Sequence, residues 1–112
     1  MYYGPYQPDE KDWKLFRKKL PEWQENYMER MIKDYADILS QDKKASDIFW
    51  ELEKRIWKDK KKTGVIARDL KRSNMFNHIL DLLMEGAITL DDLEGFDNDL
   101  QEKMHWLMTP RN

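Results

Sequence analysis

The two histidines are the side chains with the clearest capacity for acid–base or metal chemistry, because this 112-residue chain has no cysteine and imidazole titrates near neutral pH. Glu102 precedes His105 by three residues, which is the spacing that two-metal carboxylate bundles use on paired helices. Such a site needs a second pair, and Met75 occupies the matching position before His78. His78 also falls on the polar side of its predicted helix. We therefore predict no metal site and a solvent-exposed His78.

Other catalytic and targeting motifs are missing from the sequence. It has no glycine-rich phosphate loop and no Gly-x-Ser-x-Gly motif, and the acidic residues between 91 and 99 do not follow the calcium-loop pattern. No apolar run exceeds three residues, whereas a membrane span needs about 20. No signal peptide is visible, and the lack of cysteine suits a reducing compartment. These features predict a soluble, cytoplasmic protein that is not an enzyme and uses no cofactor.

The net charge of −2 hides two blocks of opposite sign. Residues 54–72 include nine basic and two acidic residues, whereas residues 73–102 include eight acidic residues and no lysine or arginine. One interpretation is internal compensation, in which the basic block faces helix carbonyls and the acidic stretch. The other is contact with nucleic-acid phosphates, for which the candidates are Lys60, Lys61, Lys62, Arg68, Lys71 and Arg72.

Aromatic residues are the second unusual feature, with five Trp, five Tyr and four Phe. In the helix predicted to begin near residue 46, one apolar stripe is expected to face the core: Ala45, Ile48, Phe49, Leu52 and Ile56. At 100° per residue, Trp50 and Trp57 lie about 120 to 130° away from that stripe. Either the N-terminal segment or the first helix covers these rings, or they form an exposed apolar patch beside Lys54 and Lys58, as in an interface hot spot.

Residues 1–8 differ in composition from the rest of the chain. They contain two of the four prolines and have no helical or alternating period. We predict an extended arm over these residues and a single helical domain over residues 9–112. The arm carries Tyr2, Tyr3 and Tyr6, and it either packs across its own domain or docks on another molecule.

Helix caps and apolar periodicity predict an all-α fold, a compact bundle of five to six helices. Pro21 predicts a break after the first helix, because proline lacks an N–H group and disfavours helical geometry at the residue before it. Gly86 fits a left-handed helix end, and Thr89 begins a capped helix with an acid three residues later. The predicted helices cover residues 9–19, 22–39, 46–60, 66–85 and 89–95, and a last helix starts at Asp97 or Asn98. An irregular entry over 68–72 is the alternative for the fourth.

Four segments resemble a family of short helical proteins from Gram-positive gut bacteria that are often found on mobile genetic elements. The segments are Tyr3-Gly-Pro-Tyr-Gln-Pro8, Phe49-Trp-Glu-Leu-Glu-Lys-Arg55, Arg72-Ser-Asn-Met75 and Gly86-Ala-Ile-Thr-Leu-Asp-Asp-Leu93. Some members are labelled multidrug transporters, which the lack of an apolar span contradicts. The resemblance implies an accessory role on a mobile element and no catalytic residues, and Trp57 departs from it, since a polar residue is expected there.

The sequence therefore favours an interaction protein over an enzyme. The first hypothesis is a protein that binds an unidentified protein partner, or a second copy of itself, through the aromatic and basic residues Trp50, Trp57, Lys54, Lys58, Tyr2, Tyr3 and Tyr6. The alternative is a nucleic-acid-associated regulator that uses the basic residues between Lys58 and Arg72.

Overall fold

The computed structural model describes residues 7–110, and every regular element in that range is helical. Four α-helices follow one another: α1 (Glu10–Leu39), α2 (Ala45–Asp59), α3 (Met75–Glu85) and α4 (Asn98–Met108). Short 3-10 turns cover Arg72–Asn74 and Leu90–Leu93. The all-α prediction is confirmed, but the count of five to six helices is wrong, because the first two predicted helices are one and the fifth is a 3-10 turn. No helix in the described range is long and apolar enough to cross a membrane.

Helix α1 runs without interruption through Pro21, so the predicted break is wrong. Pro21 is exposed, and water can therefore hydrate the carbonyl of Arg17, which loses its N–H donor. Buried apolar residues continue across the proline, with Phe16 and Leu20 before it and Trp23 after it. Burial of each such side chain contributes about 1.5–3 kcal/mol, which together outweighs the cost of about 3 kcal/mol for an interior proline.

The hydrophobic core lies between α1, α3, α4 and the corner that joins the last two helices. Phe16 is fully buried, and the ring of Trp23 stacks on Phe96 with 6.2 Å between ring centroids. Other side chains with no exposed surface are Met75, Ile79, Leu82, Leu93, Leu100 and Met104. The core therefore joins residues from both ends of the chain and contains no residue of α2.

The corner after α3 follows the predicted local chemistry. Gly86 adopts φ +78°, the left-handed conformation that ends a helix. Thr89 and Asp92 form the predicted capping box, in which the Asp92 carboxylate accepts a hydrogen bond of 2.7 Å from the Thr89 N–H. The helix that this box caps is only the 3-10 turn Leu90–Leu93. The last helix begins at Asn98, as predicted.

Residues 60–71 form an irregular connection, so the predicted helix start at residue 66 is wrong. The alternative of an irregular entry over 68–72 agrees with the structure as far as residue 71, but the irregular segment begins earlier than the sequence suggested. The carboxylate of Glu85 accepts hydrogen bonds from the backbone N–H groups of Thr63 and Gly64 at 2.9 and 3.0 Å. A Cβ on Gly64 would lie 2.0 Å from the ring of Tyr27. The connection is thus hydrogen-bonded to α3 and packs closely against α1.

Helix α2 lies outside the core and packs mainly on the C-terminal half of α1. The molecule measures 53 × 35 × 22 Å, and its radius of gyration of 16.9 Å exceeds the value of about 13 Å expected for a globular chain of this length. The fold is therefore more elongated than the predicted compact bundle. Helix α1 belongs to both parts of the molecule. It forms a hairpin with α2, and it forms the core with α3 and α4.

Candidate interaction surface

A polar cluster attaches α2 to α1. Asp59 is the one residue of α2 that is buried, with 2% of its surface exposed. Its Oδ2 accepts hydrogen bonds from the Tyr35 hydroxyl at 2.7 Å and from Arg55 Nε at 3.0 Å, and Lys62 Nζ lies 3.3 Å from Oδ1. Arg55 also donates to Asp34 on α1 at 3.0 Å. We call Asp59, Tyr35, Arg55, Lys62 and Asp34 the Asp59 clamp.

The clamp fixes the charge of its members. Burial raises the pKa of Tyr35 to about 12, aided by the hydrogen bond to Asp59, so the phenol stays protonated and donates. Burial opposes ionisation of Asp59, but the hydrogen bond from Tyr35 and the charges of Lys62 and Arg55 together hold its pKa below the ordinary value. A neutral donor and two cations thus surround one carboxylate at neutral pH. Polar contacts of this kind position α2 without requiring an apolar face toward α1.

The apolar residues of α2 are largely exposed. The exposed fractions are 61% for Phe49, 63% for Trp50, 41% for Ile56 and 53% for Trp57. The rings of Phe49 and Trp50 meet edge to face at 4.9 Å. We call these four residues the α2 ridge. The exposed tryptophans agree with the exposed-patch alternative, whereas the prediction that Phe49 and Ile56 face the core is wrong.

An apolar groove continues from the α2 ridge onto α1. One depression of about 260 Å³ lies along α2 between Phe49, Ile56 and Trp57, and Lys60 closes its end. A second depression of about 150 Å³ lies between the helices and shares Ile56 and Lys60 with the first. Its other apolar lining residues are Met28, Met31, Ile32, Tyr35 and Val65. Ile32 is 62% exposed. The α2 ridge and this groove therefore form one continuous apolar surface on the hairpin.

Basic side chains border this surface. Lys61 Nζ lies 3.0 Å from the centroid of the Trp57 ring. Lys54, Lys58 and Lys60 are exposed and form no ion pair within the described part of the chain. Lys60 and Lys61 therefore lie at the aromatic surface, whereas Lys54 and Lys58, the two cations that the sequence singled out, are exposed on the same helix.

The rest of the basic block is largely neutralised by nearby acids. Lys62 pairs with Asp59 and Lys71 with Asp69, and Arg72 pairs with Glu10 at the start of α1. These pairs support the interpretation that the basic block is neutralised within the chain. The acids that neutralise it are not those of residues 73–102, which the sequence suggested. The sequence alone does not predict that Glu10 lies beside Arg72, because 62 residues separate them. Of the six nucleic-acid candidates, Lys60, Lys61 and Arg68 have no ion pair in the described range.

His78 is buried, with 8% of its surface exposed, so the prediction of a solvated histidine is wrong. Its Nε2 lies 2.9 Å from the carbonyl of Arg68, and its ring stacks on Phe16 at 6.4 Å. Since a carbonyl only accepts, Nε2 carries the proton, and the buried Nδ1 has no hydrogen-bond partner. The irregular connection that covers this side of α3 explains the burial. A helical projection of α3 takes no account of residues outside the helix, so it could not predict this burial.

His105 lines an open depression of about 570 Å³ together with Asp91 and Glu102. Neither carboxylate is hydrogen-bonded to the imidazole within the described residues, and Nδ1 lies 3.5 Å from the Thr109 hydroxyl. A general base needs its ring oriented by a partner and aimed at a substrate position. The depression therefore brings acids near a histidine without the oriented pair that catalysis uses.

An acidic cluster lies at the starts of α1 and α4, and the sequence gives no signal for it, because its members come from both ends of the chain. One carboxylate oxygen from each of Asp9, Asp12 and Asp97 lies within 4.8 Å of the others. Asp9 accepts from the Asp12 N–H at 2.7 Å, and buried Asp12 accepts from the Asp97 N–H at 3.1 Å. The charge of Asp12 raises the pKa of Asp97. The second of these hydrogen bonds joins the two helix starts through residues that are 85 positions apart in the sequence.

The tyrosines of the predicted arm, Tyr2, Tyr3 and Tyr6, lie outside the described residues. Comparison with known proteins finds no matching family model, no matching curated protein and no matching solved structure.

Proposed function

We propose that this chain is a non-enzymatic interaction protein that binds a protein partner through the α2 ridge and the lysines beside it. The observation that carries the proposal is the exposure of three aromatic rings on a helix whose one buried residue is a charged clamp residue. A helix that served only to complete the core would bury its apolar stripe instead. The resemblance to accessory proteins of mobile elements is consistent with such a role.

The energetics of interfaces support the ridge as a contact surface. Trp and Arg are enriched in interface hot spots, where truncation of one side chain costs about 2 kcal/mol or more. Each tryptophan brings a large apolar area with few rotatable bonds, so little conformational entropy is lost on binding. Lysines at the rim keep the surface hydrated in the unbound protein and exclude partners of like charge.

Paired tryptophan substitutions test the proposal. In affinity capture from the native host, the Trp50→Ala/Trp57→Ala variant is expected to lose the partners that the wild-type chain retains, while its helical circular dichroism stays unchanged. Met84→Ala is the matched control, because Met84 is 70% exposed on α3 and lines neither depression of the hairpin. Equal capture by the double variant and the wild type would refute the proposal.

A second candidate is binding of single-stranded nucleic acid, which the position of Lys61 over Trp57 favours. Aromatic rings that stack on bases beside backbone-binding cations are typical of such sites. Substitution of Lys58, Lys60 and Lys61 by Glu is then expected to abolish binding at low salt. The matched control is Lys71→Glu, since Lys71 is paired with Asp69. If the wild type has no affinity for oligonucleotides at low salt, or an affinity that salt does not weaken, this candidate fails.

A further inference from the structure

We infer that the partner of the hairpin surface is a second copy of this chain, with the two α2 helices packed antiparallel across a two-fold axis. Two α1–α2 hairpins would then form an intermolecular four-helix bundle. This inference rests on the proposed function, because it names the partner of the same surface. It is carried by the distribution of charge along α2 and by the shape and extent of the apolar surface.

Charge is segregated along α2. Residues 45–53 carry three acids, Asp47, Glu51 and Glu53, and no base. Residues 54–62 carry six bases and one acid, and that acid is Asp59, whose charge the clamp already satisfies. An antiparallel partner crossing near the middle of the helix therefore lays the acidic half of each copy on the basic half of the other. A parallel partner would place acid on acid and base on base.

The charges needed for this pairing are available in the monomer. Asp47 and Glu53 in the acidic half form no ion pair within residues 7–110, and the same holds for Lys58 and Lys60 in the basic half. All four are exposed. Glu53 and Lys60 line the depression along the α2 ridge itself. Glu53 and Lys60 thus lie on the apolar surface that a second copy would cover, and Asp47 and Lys58 are exposed on the same helix.

The apolar surface also fits a second hairpin in area and form. An aromatic side chain offers about 150–250 Å², so the three exposed rings present on the order of 350 Å². Ile56 and, on α1, Ile32 and Leu39 are also more than 40% exposed. With the stems of the flanking charged residues, the surface approaches the ~800 Å² that each partner of a standard interface buries. An α1–α2 pair with an open apolar groove is half of a four-helix bundle, and an identical half supplies what is missing.

Charge reversal provides the test. Asp47→Lys/Glu53→Lys makes α2 basic along its whole length, and Lys58→Glu/Lys60→Glu makes its exposed charge mainly acidic. We expect sedimentation equilibrium to show a wild-type dimer at ~100 µM. Each reversed variant alone should self-associate at least tenfold more weakly, and an equimolar mixture of the two should restore the dimer as a heterodimer. Arg30→Glu is the matched control on α1, since Arg30 lies away from the ridge and binds the carbonyls of Gly86 and Ala87.

Cysteine pairing tests the orientation independently, because the chain has no cysteine of its own. A mixture of Ser46→Cys and Lys60→Cys chains is expected to form the mixed disulfide in preference to either symmetric one. Preferential symmetric disulfides would overturn the antiparallel arrangement.

The outcomes separate this inference from the proposed function. If the wild type is monomeric at ~100 µM while the tryptophan variant still loses partners in capture, the second copy is wrong and the function stands. If reversed variants dimerise as well as the wild type, charge pairing does not specify the interface and the inference fails. If the wild type dimerises and the tryptophan double variant dimerises equally well, both the inference and the proposed surface are wrong.

Discussion

The two parts of this molecule use their apolar residues in opposite ways. In the body, formed by α1, α3, α4 and the corner between them, Phe16, Ile79 and Leu82 have no exposed surface. In the hairpin, α2 exposes Phe49, Trp50 and Trp57 and buries Asp59. The helices of both parts are amphipathic in sequence. Amphipathicity therefore identifies an apolar face, but it does not show whether the same chain or another molecule covers that face. Four experiments test this comparison, in order of decreasing expected effect.

The largest difference in the free energy of unfolding is expected between alanine substitutions of two phenylalanines, one in the body and one in the hairpin. Phe16→Ala removes a fully buried ring and should lower the free energy of unfolding by about 3–5 kcal/mol. Phe49→Ala removes a ring that is 61% exposed and should change it by less than about 1 kcal/mol. Urea unfolding followed by circular dichroism measures both, at protein concentrations low enough that association adds no stability. Equal losses would remove the distinction between body and hairpin.

Loss of the Asp59 clamp should release α2 while the body stays folded. Asp59→Ala leaves Tyr35, Arg55 and Lys62 without their shared acceptor, at a cost of about 1–3 kcal/mol. Hydrogen exchange by mass spectrometry should show faster exchange in residues 45–59 and unchanged protection in α3 and α4. Asp42→Ala is the control, because Asp42 is exposed in the connection between α1 and α2 and has no ion pair in the described range. Uniform acceleration throughout the protein would mean that α2 is part of the core's cooperative unit.

The capping box tests local stabilisation within the body. Thr89→Ala removes the side chain that faces Asp92 at the corner and should cost about 1 kcal/mol. Thr89→Ser keeps the hydroxyl and should retain most of the stability. Thermal unfolding measures both variants. A loss as large as that of Phe16→Ala would show that the corner organises the core instead of capping one turn.

Within the neutral range pH is expected to have the smallest effect, and at the acid and alkaline extremes its effect should be confined to the hairpin. The pKa of Asp59 is lower in the folded protein than in the unfolded chain, so its contribution is present above the ordinary carboxyl range near 4. That contribution is lost as pH falls through the folded pKa. Tyr35, with a pKa raised to about 12, contributes below pH ~10 and loses its contribution as pH rises toward 12. Tyr35→Phe should remove the alkaline component, and exchange in α2 at both extremes measures it. An unchanged alkaline loss in that variant would contradict the assignment.

The parts of the fold that could be predicted are those decided by a few neighbouring residues. Gly86 ends α3 in a left-handed conformation, Thr89 and Asp92 form their box, and α4 begins at Asn98, because cap chemistry acts within one turn. The predicted interruption at Pro21 is wrong because residues far apart in the sequence decide the outcome there. Its local cost is real, but burial of Phe16, Trp23 and their neighbours against distant helices outweighs it.

The candidate site was partly predictable for a similar reason. The helical projection left an exposed position open for Trp50 and Trp57, and both are exposed, but it placed Phe49 and Ile56 on a separate core face, whereas all four lie on the α2 ridge. It wrongly assigned Phe49 to the core, because no spacing rule states that α1 meets α2 through a buried carboxylate. The prediction for His78 is wrong because the connection over residues 60–71 covers it. Glu85 of α3 binds that connection, and Tyr27 of α1 packs closely against it.

Hydroxyl-radical footprinting of the five tryptophans at increasing protein concentration tests the central claim, that α2 presents an aromatic surface to another molecule, most directly. Trp50 and Trp57 are expected to react fastest in dilute protein and to become protected as the concentration rises, while Trp23, which is 5% exposed, stays protected throughout. If Trp50 and Trp57 are as protected as Trp23 in dilute protein, the α2 ridge belongs to the protein's own core and the claim is wrong.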